Sequence, residues 1–435
     1  MSKYLGVINN LLSGGYVSPF SKKSISLPMD EIVIERSIEN IKFKFTKNLL
    51  NKKNLVISGE NSFKAFGEKV LKSLRNNNLD FDINILKKYE SSQTFATNLS
   101  LSSKEYENII VIGSGSLIDL CKFVSFKNNQ NLIVFCSSLT AAATTSTVSL
   151  TNDGVKETIK SKIAQSIIID LDNLRMAPLR LLRSALGDVL CRSTCQIDWL
   201  TSHLFLETFY DETPFALQYE DEKILLNHSQ KILTGDEETL AALSRMTLLN
   251  GIAAIIIGST HAGSMGEHLI SHYIDMFMGD EHPGSLHGEQ VGIATLLLSK
   301  MQNDILNSSK TPQFLEINHD LIIFENIFGK DAGSNLHKQF QNKLFTQKSL
   351  TDINKKLIKN WSDYKKTIIK FAVQTDKIKK SFINCGAACT NCDLNIPDDF
   401  FQNAVENAYY LRDRFSYLDI MQYLGCIDKY SKNLI

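Results

Sequence analysis

The chain has 435 residues, and its 47 lysines and arginines balance its 47 aspartates and glutamates. The lack of net charge excludes bulk electrostatic partnership with nucleic acid or an anionic membrane surface. A chain of this length is long for one core, so two domains are expected.

No uninterrupted apolar run reaches the roughly 20 residues that span a bilayer. Met1-Ser2-Lys3-Tyr4 is not followed by a signal-type apolar core, so the expected location is cytoplasmic. Cysteine usage fits that compartment. Cys121, Cys136, Cys191 and Cys195 fall in segments that read as strand or helix, where a thiol is a small apolar filler, and disulfides are not expected.

Short apolar, β-branched runs at residues 31–35, 54–58, 81–86, 108–112, 132–136 and 167–170 predict strands. Helical periodicity lies between them, as in residues 62–74, where Phe63, Phe66, Val70 and Leu74 share one face. Strands alternating with helices predict an open parallel sheet that takes its ligand at the strands' carboxyl ends. The run at 108–112 leads directly into Gly113-Ser114-Gly115-Ser116-Leu117-Ile118-Asp119-Leu120-Cys121-Lys122, a strand, a glycine-serine turn and a helix. Such a joint lets backbone N–H groups and a helix N-terminus approach a pyrophosphate. An ordinary tight turn is the alternative reading, since the third glycine of the dinucleotide fingerprint is absent.

After residue 174 the texture becomes helical, at 178–200, 237–257 and 288–302. The lysine- and asparagine-rich stretch 308–368 reads as peripheral helices with an insertion. Five of the nine histidines fall between His261 and His287. His268 and His272 are four apart and share a helix face. Imidazole is a common ligand for zinc-like ions, and a catalytic site needs three protein ligands with one open position. Scattered surface or core histidines are the plain alternative. Cys385, Cys389 and Cys392 have a spacing that could hold an iron–sulfur cluster or could belong to a variable loop.

Five segments in fixed order carry a family resemblance. They are Gly-Ser-Gly-Ser-x-x-Asp-x-x-Lys from Gly113, Gly187-Asp188 running on to Asp198-Trp199, Gly266-Glu267-His268-x-x-Ser271-His272, His287-Gly288-Glu289-Gln290-Val291-Gly292, and Leu411 to Asp419. Together they resemble the metal-dependent polyol dehydrogenases, the superfamily of iron-containing alcohol dehydrogenase, glycerol dehydrogenase and dehydroquinate synthase. Within it the likeness is greatest to the sn-glycerol-1-phosphate dehydrogenases of the AraM type.

The resemblance implies an α/β, Rossmann-like parallel-sheet domain over 1–174 and an all-α, metal- and substrate-binding domain over 175–435, with the active site in the cleft between them. It implies NAD(P)H as cofactor, held by Gly113, Ser114, Gly115, Ser116, Asp119, Lys122, Ser137 and Ser146. It implies one divalent metal, zinc or else nickel or iron, on Asp188, His268 and His287. His272 is then a catalytic contact to substrate or a proton relay, or a hydrogen-bonding neighbour of the ligands. Lys162 is a candidate for a substrate phosphate or a solvated charge. No role falls to Glu267, His261 or His282. The expected partner is a small phosphorylated ketone or polyol, the expected reaction its reduction, and the expected assembly a homodimer. A sugar-phosphate cyclase or lyase of the dehydroquinate synthase type is the alternative, but its Asp-Ser-Ser…Gly-Gly-Lys segment is absent. One departure stands out. Cys136-Ser137 replaces the family's Pro-Thr, and Ala142 replaces the aspartate that grips substrate hydroxyls in the glycerol and glycerol-phosphate dehydrogenases.

Overall fold

In the computed structural model, which describes residues 3–152 and 155–432, six strands form one parallel sheet. Their spatial order is Glu31–Glu35, Ser166–Asp170, Asn131–Cys136, Asn108–Gly113, Asn54–Gly59 and Asp82–Leu86. Asn54–Gly59, Asn108–Gly113 and Ser166–Asp170 are buried at every position. Burial on both faces is why these strands read as unbroken Ile/Val runs and not as alternating ones. Register is pinned at the strands' amino ends by an asparagine ladder. The Asn108 amide donates to Asn54 Oδ1 and the Asn131 amide to Asn108 Oδ1, each at 2.8 Å. All six strands fall within a residue or so of the runs that predict them.

The chain reverses direction across the sheet between Asn54–Gly59 and Asn108–Gly113, because the strand between them in sequence lies on the far edge. Such a switch point opens a crevice at the carboxyl ends of the two strands. The Gly113 turn stands there.

By contacts between residues the chain forms two compact units, one of Met1–Ala185 with Ala216–Thr260 and one of Leu186–Phe215 with His261–Ile435. This division differs from a cut at residue 174. The helix Glu237–Ile257 belongs with the sheet, where Thr144 Oγ1 donates to Leu248 O at 3.0 Å and Arg175 Nε to Gly235 O at 3.0 Å. That helix is also long and apolar enough to cross a membrane by length and composition, which the sequence reading did not register. Most of its apolar window, 72%, is buried inside the fold, and burial accounts for its composition.

The stretch 178–200 is two helices, Leu179–Val189 and Arg192–Leu206. Residues 308–368 are not peripheral. Their helices Leu321–Phe328, Lys330–Phe340 and Gln347–Ile368 place Phe324, Phe328, Phe340, Leu357 and Trp361 in the core of the helical unit. Many of the lysines and asparagines that suggest an exposed insertion lie on the outer faces of amphipathic helices, whereas Lys343, between two of the helices, is buried and paired with Asp419 at 2.7 Å.

In this core His319 is 5% exposed and packs on Phe340, Tyr409, Tyr410 and Tyr423. Burial, helped by the Lys343 charge, pushes its pKa down to about 4. A folded-state value below the unfolded ~6.5 means that the unfolded chain binds more protons in that window, so stability falls as pH drops from 6.5 toward 4. By pH 5 the loss from this one ring is about 2 kcal/mol. Urea denaturation at pH 7 and pH 5 is expected to show a smaller loss in His319→Phe than in the parent chain. Equal losses would remove His319 as a source of acid sensitivity.

Candidate functional site

The helical unit brings three of the expected residues to one point through a close crossing of two helices. Gly187 lies on Leu179–Val189, and Gly288 and Gly292 on His287–Asn307. A Cβ on Gly187 would overlap the carbonyl oxygen of Gly288 and stand 3.3 Å from the Gly292 Cα. Only bare backbone allows this approach. Asp188 and His287, each the neighbour of one of these glycines, are thereby set side by side.

The helix Gly266–Phe277 supplies the third group. Asp198 holds its amino end, with Oδ2 accepting from Gly266 N at 3.1 Å and Oδ1 from Gln302 Nε2 at 2.9 Å and Tyr417 N at 3.2 Å. That arrangement explains the Asp198-Trp199 segment and the end of the Leu411 to Asp419 segment. Burial, then the charge of Glu267, pushes the Asp198 carboxyl well above its usual range.

Asp188 Oδ1 lies 3.5 Å from His268 Nε2 and 3.8 Å from His287 Nε2. One ligand atom from each of the three falls within 4.8 Å of the others. Bonds of about 2.0–2.1 Å in a tetrahedral shell put ligand atoms roughly 3.3 Å apart, so the spacing suits a zinc-sized ion with little adjustment. The donor set, two imidazole nitrogens and a carboxylate, suits zinc, nickel or iron(II). Burial raises the Asp188 pKa, but the His268 hydrogen bond and the two imidazole charges outweigh it and leave the carboxyl below its usual value.

Glu267, given no role by the sequence, is 0% exposed and accepts from Met265 N at 2.8 Å and Cys195 Sγ at 3.1 Å. Its Oε1 also lies 2.9 Å from His268 Nδ1. A carboxylate only accepts, so Nδ1 of His268 carries a proton toward Glu267, which leaves Nε2 as the ring atom that would face an ion beside Asp188. Its place beside a ligand in the first turn of a helix was the available signal. The His272 ring centre lies 6.2 Å from those of His268 and His287. His272 borders the three residues without joining the ligand group.

In the sheet unit, Gly113 ends its strand and Ser114 precedes the helix Gly115–Lys127. Gly115 has φ +24, and nothing lies within 4 Å of where its Cβ would be. Ser137 N donates to Gly113 O at 2.8 Å, which sets Ser137 beside the turn. Ser146 lies farther along the same loop, its carbonyl accepting from Ser161 N at 3.0 Å.

Three of the expected residues have partners within the fold itself. The Lys122 ammonium is buried and donates to Ala142 O at 2.9 Å, Thr145 Oγ1 at 2.6 Å and Thr147 O at 2.8 Å. An ammonium has three donors, so Lys122 fastens the 142–147 loop instead of meeting a phosphate. Burial pushes its pKa down to about 8, opposed by Asp119, whose Oδ1 lies 3.6 Å away. Asp119 faces this lysine and Ser149 N, and so supports the loop too. Lys162 donates to Asn129 Oδ1 at 3.4 Å, in the turn that begins the strand Asn131–Cys136. That is the amino end of the sheet, opposite the Gly113 turn, and the geometry does not support a phosphate contact. Nor do the three late cysteines converge. Cys385 faces Phe382 O, Cys389 faces Ala387 O, and Cys392 faces Asp398.

A profile of the iron-containing alcohol dehydrogenases matches residues 35–178. The glycerol-1-phosphate dehydrogenase [NAD(P)+] of Halalkalibacterium halodurans is 24% identical over 404 residues, covering 90% of this chain and 92% of that one. The chain is thus similar, over most of its length, to a glycerol-1-phosphate dehydrogenase. An enzyme of the same name from Pyrococcus horikoshii is 27% identical over 67% of this chain and 83% of its own. In fold, the glycerol dehydrogenase of Schizosaccharomyces pombe superposes with a TM-score of 0.60 at 17% identity, covering 93% of this chain and 90% of that one. A 1,3-propanediol oxidoreductase gives 0.61 at 15% identity, over 91% and 97%.

The Gly187 crossing generates a test that leaves every ligand in place. Gly187→Ala should part the two helices and weaken zinc retention at least tenfold, the usual scale of a displaced ligand shell. Equilibrium dialysis with zinc measures it, and unchanged affinity in a folded variant would show that the crossing does not set the site.

Proposed function

We propose that the protein is a metal-dependent NAD(P)H oxidoreductase that reduces a small phosphorylated ketone to the alcohol, in the manner of a glycerol-1-phosphate dehydrogenase. The observation that carries this reading is the meeting of Asp188, His268 and His287, one carboxylate and two correctly disposed imidazoles, in a chain similar to such an enzyme. When bound, the divalent ion would polarise the ketone carbonyl and NAD(P)H would supply the hydride to its carbon.

The chain's own residues supply the rest. Asp188, His268 and His287 hold the ion and leave one side for substrate. Gly113, Ser114, Gly115 and Ser116 present backbone N–H groups to the cofactor's pyrophosphate, while Ser137 and Ser146 offer hydroxyls to the cofactor along the same loop. Lys122 and Asp119 act one step back, by holding that loop. His272, whose ring borders these three residues, would hold the proton that goes to the substrate oxygen, so that ketone, NAD(P)H and one proton would give alcohol and NAD(P)+. A cytoplasmic location and a homodimer belong to this reading, and light scattering on the purified chain tests the second.

The turn is tested by cofactor binding. Gly115 stands at a φ that disfavours a β-branched side chain. Gly115→Val should weaken NADH and NADPH binding at least tenfold in a fluorescence titration, and unchanged affinity would show that the turn is not the cradle.

Substrate preference is tested at Ala142, on the short turn Ala141–Ala143. Lacking the family's carboxylate, the chain should use dihydroxyacetone phosphate poorly or prefer a ketone with a bulkier or less polar group there. One missing hydroxyl partner costs roughly 1–3 kcal/mol, or about one to two powers of ten in kcat/KM. Ala142→Asp should recover part of this on glycerol-type substrates relative to larger ketones. A parent enzyme already efficient on dihydroxyacetone phosphate, with Ala142→Asp neutral or harmful, would overturn the assignment of that role to position 142.

A further inference from the structure

The two edges of the parallel sheet are built differently. The edge strand Glu31–Glu35 is buried at four of its five positions. At the other edge, Asp82–Leu86 pairs with Asn54–Gly59 on one side and, among the described residues, with no strand on the other. Ile83 is 43% exposed and Ile85 39%. Two residues apart on a strand, they share one face, so an apolar patch runs along an open row of backbone donors and acceptors.

Folded proteins ordinarily blunt such an edge with a proline, a bulge, a covering element or a charge in mid-strand. None of these interrupts Ile83-Asn84-Ile85, and all five residues of the strand stay in register with the inner one. The charges lie at the ends instead. Asp80 and Asp82 stand at the amino end and Lys87 and Lys88 at the carboxyl end, and all four are exposed.

A strand that is acidic at its head, apolar in its middle and basic at its tail is complementary to its own antiparallel copy. A parallel copy would set like charges together, which is destabilising across a strand pair. In an antiparallel pair, residues directly opposite one another have side chains on the same face. A two-fold axis at Asn84 therefore brings Ile83 of each chain opposite Ile85 of the other and sets the Asp80–Asp82 end of each against the Lys87–Lys88 end of the other. Each contact occurs twice, which gathers four isoleucines on one face and gives opposite charges at both ends.

We infer that Asp82–Leu86 is a docking edge for a second copy of this chain, where two six-stranded sheets join antiparallel into one. The inference rests on the reading above for its expectation of a homodimer and gives that dimer a surface. Strand pairing itself requires neither metal nor cofactor.

The test is sedimentation velocity of the whole chain over a range of concentrations, with circular dichroism to establish that each variant is folded. The parent is expected to be a dimer. Ile83→Lys combined with Ile85→Lys should raise the dimer Kd about 100-fold or more, because four apolar side chains become four neighbouring cations. Lys87→Glu with Lys88→Glu should raise it roughly tenfold, and Asp80→Lys with Asp82→Lys likewise, since like charges then face one another. All four charge changes together should return the Kd toward the parent value. A local disturbance of the edge would show no such recovery. A parent that is monomeric at every concentration, or a dimer that none of these changes weakens, would overturn the inference, and the second result would leave the homodimer on another surface. A dimer that follows these changes in a chain that reduces no phosphorylated ketone would count against the oxidoreductase reading and leave the docking edge standing.

Discussion

The arrangement depends on the contact between Gly187 and Gly288. Two helices that carry ligands can set a carboxylate and an imidazole a few ångströms apart only if their backbones nearly touch, and a side chain at that point would hold them apart. The neighbouring positions then follow without further design. Asp188 reaches both imidazoles, and His268 arrives from a third helix whose first turn is pinned by Asp198. Carboxylates occupy three distinct posts around this point: Asp188 between the two imidazoles, Asp198 as the anchor of a helix start, and Glu267 beside the His268 ring. Their environments push their pKa values in different directions, down for Asp188 and Glu267 and up for Asp198.

The sheet unit works by a comparable economy. At the switch point of its parallel sheet stands a turn of small residues, with open space at Gly115. The loop that follows the next strand is held from behind by Lys122, a buried ammonium whose three donors end on one short stretch of chain. A lysine so placed contributes geometry and not charge. Its neighbour Asp119 offsets part of the cost of burying the ammonium, as a buried cation requires.

The inner strands were legible because a parallel sheet covered on both faces must be written in unbroken β-branched runs, while the edge strand Asp82–Leu86 is largely exposed. The meeting of Asp188, His268 and His287 was legible because these residues sit in short, ordered segments with glycines beside them. The partners of Lys122 and Lys162 were not, since one lies within the helix Gly115–Lys127 and the other just after a strand, and only the folded chain shows what each ammonium reaches. Residues 308–368 misled because a half-buried helix with many lysines has the composition of an exposed one, and its apolar stripe is thin.

The central claim is that Asp188, His268 and His287 form one catalytic metal site. Elemental analysis of the purified chain, paired with NAD(P)H oxidation on dihydroxyacetone phosphate and larger ketones, tests it most directly. The account predicts about one divalent ion per chain, as three ligands with an open position define one site, and loss of both ion and turnover together in His287→Ala. A His287→Ala chain that keeps a full complement of metal and full activity would contradict it.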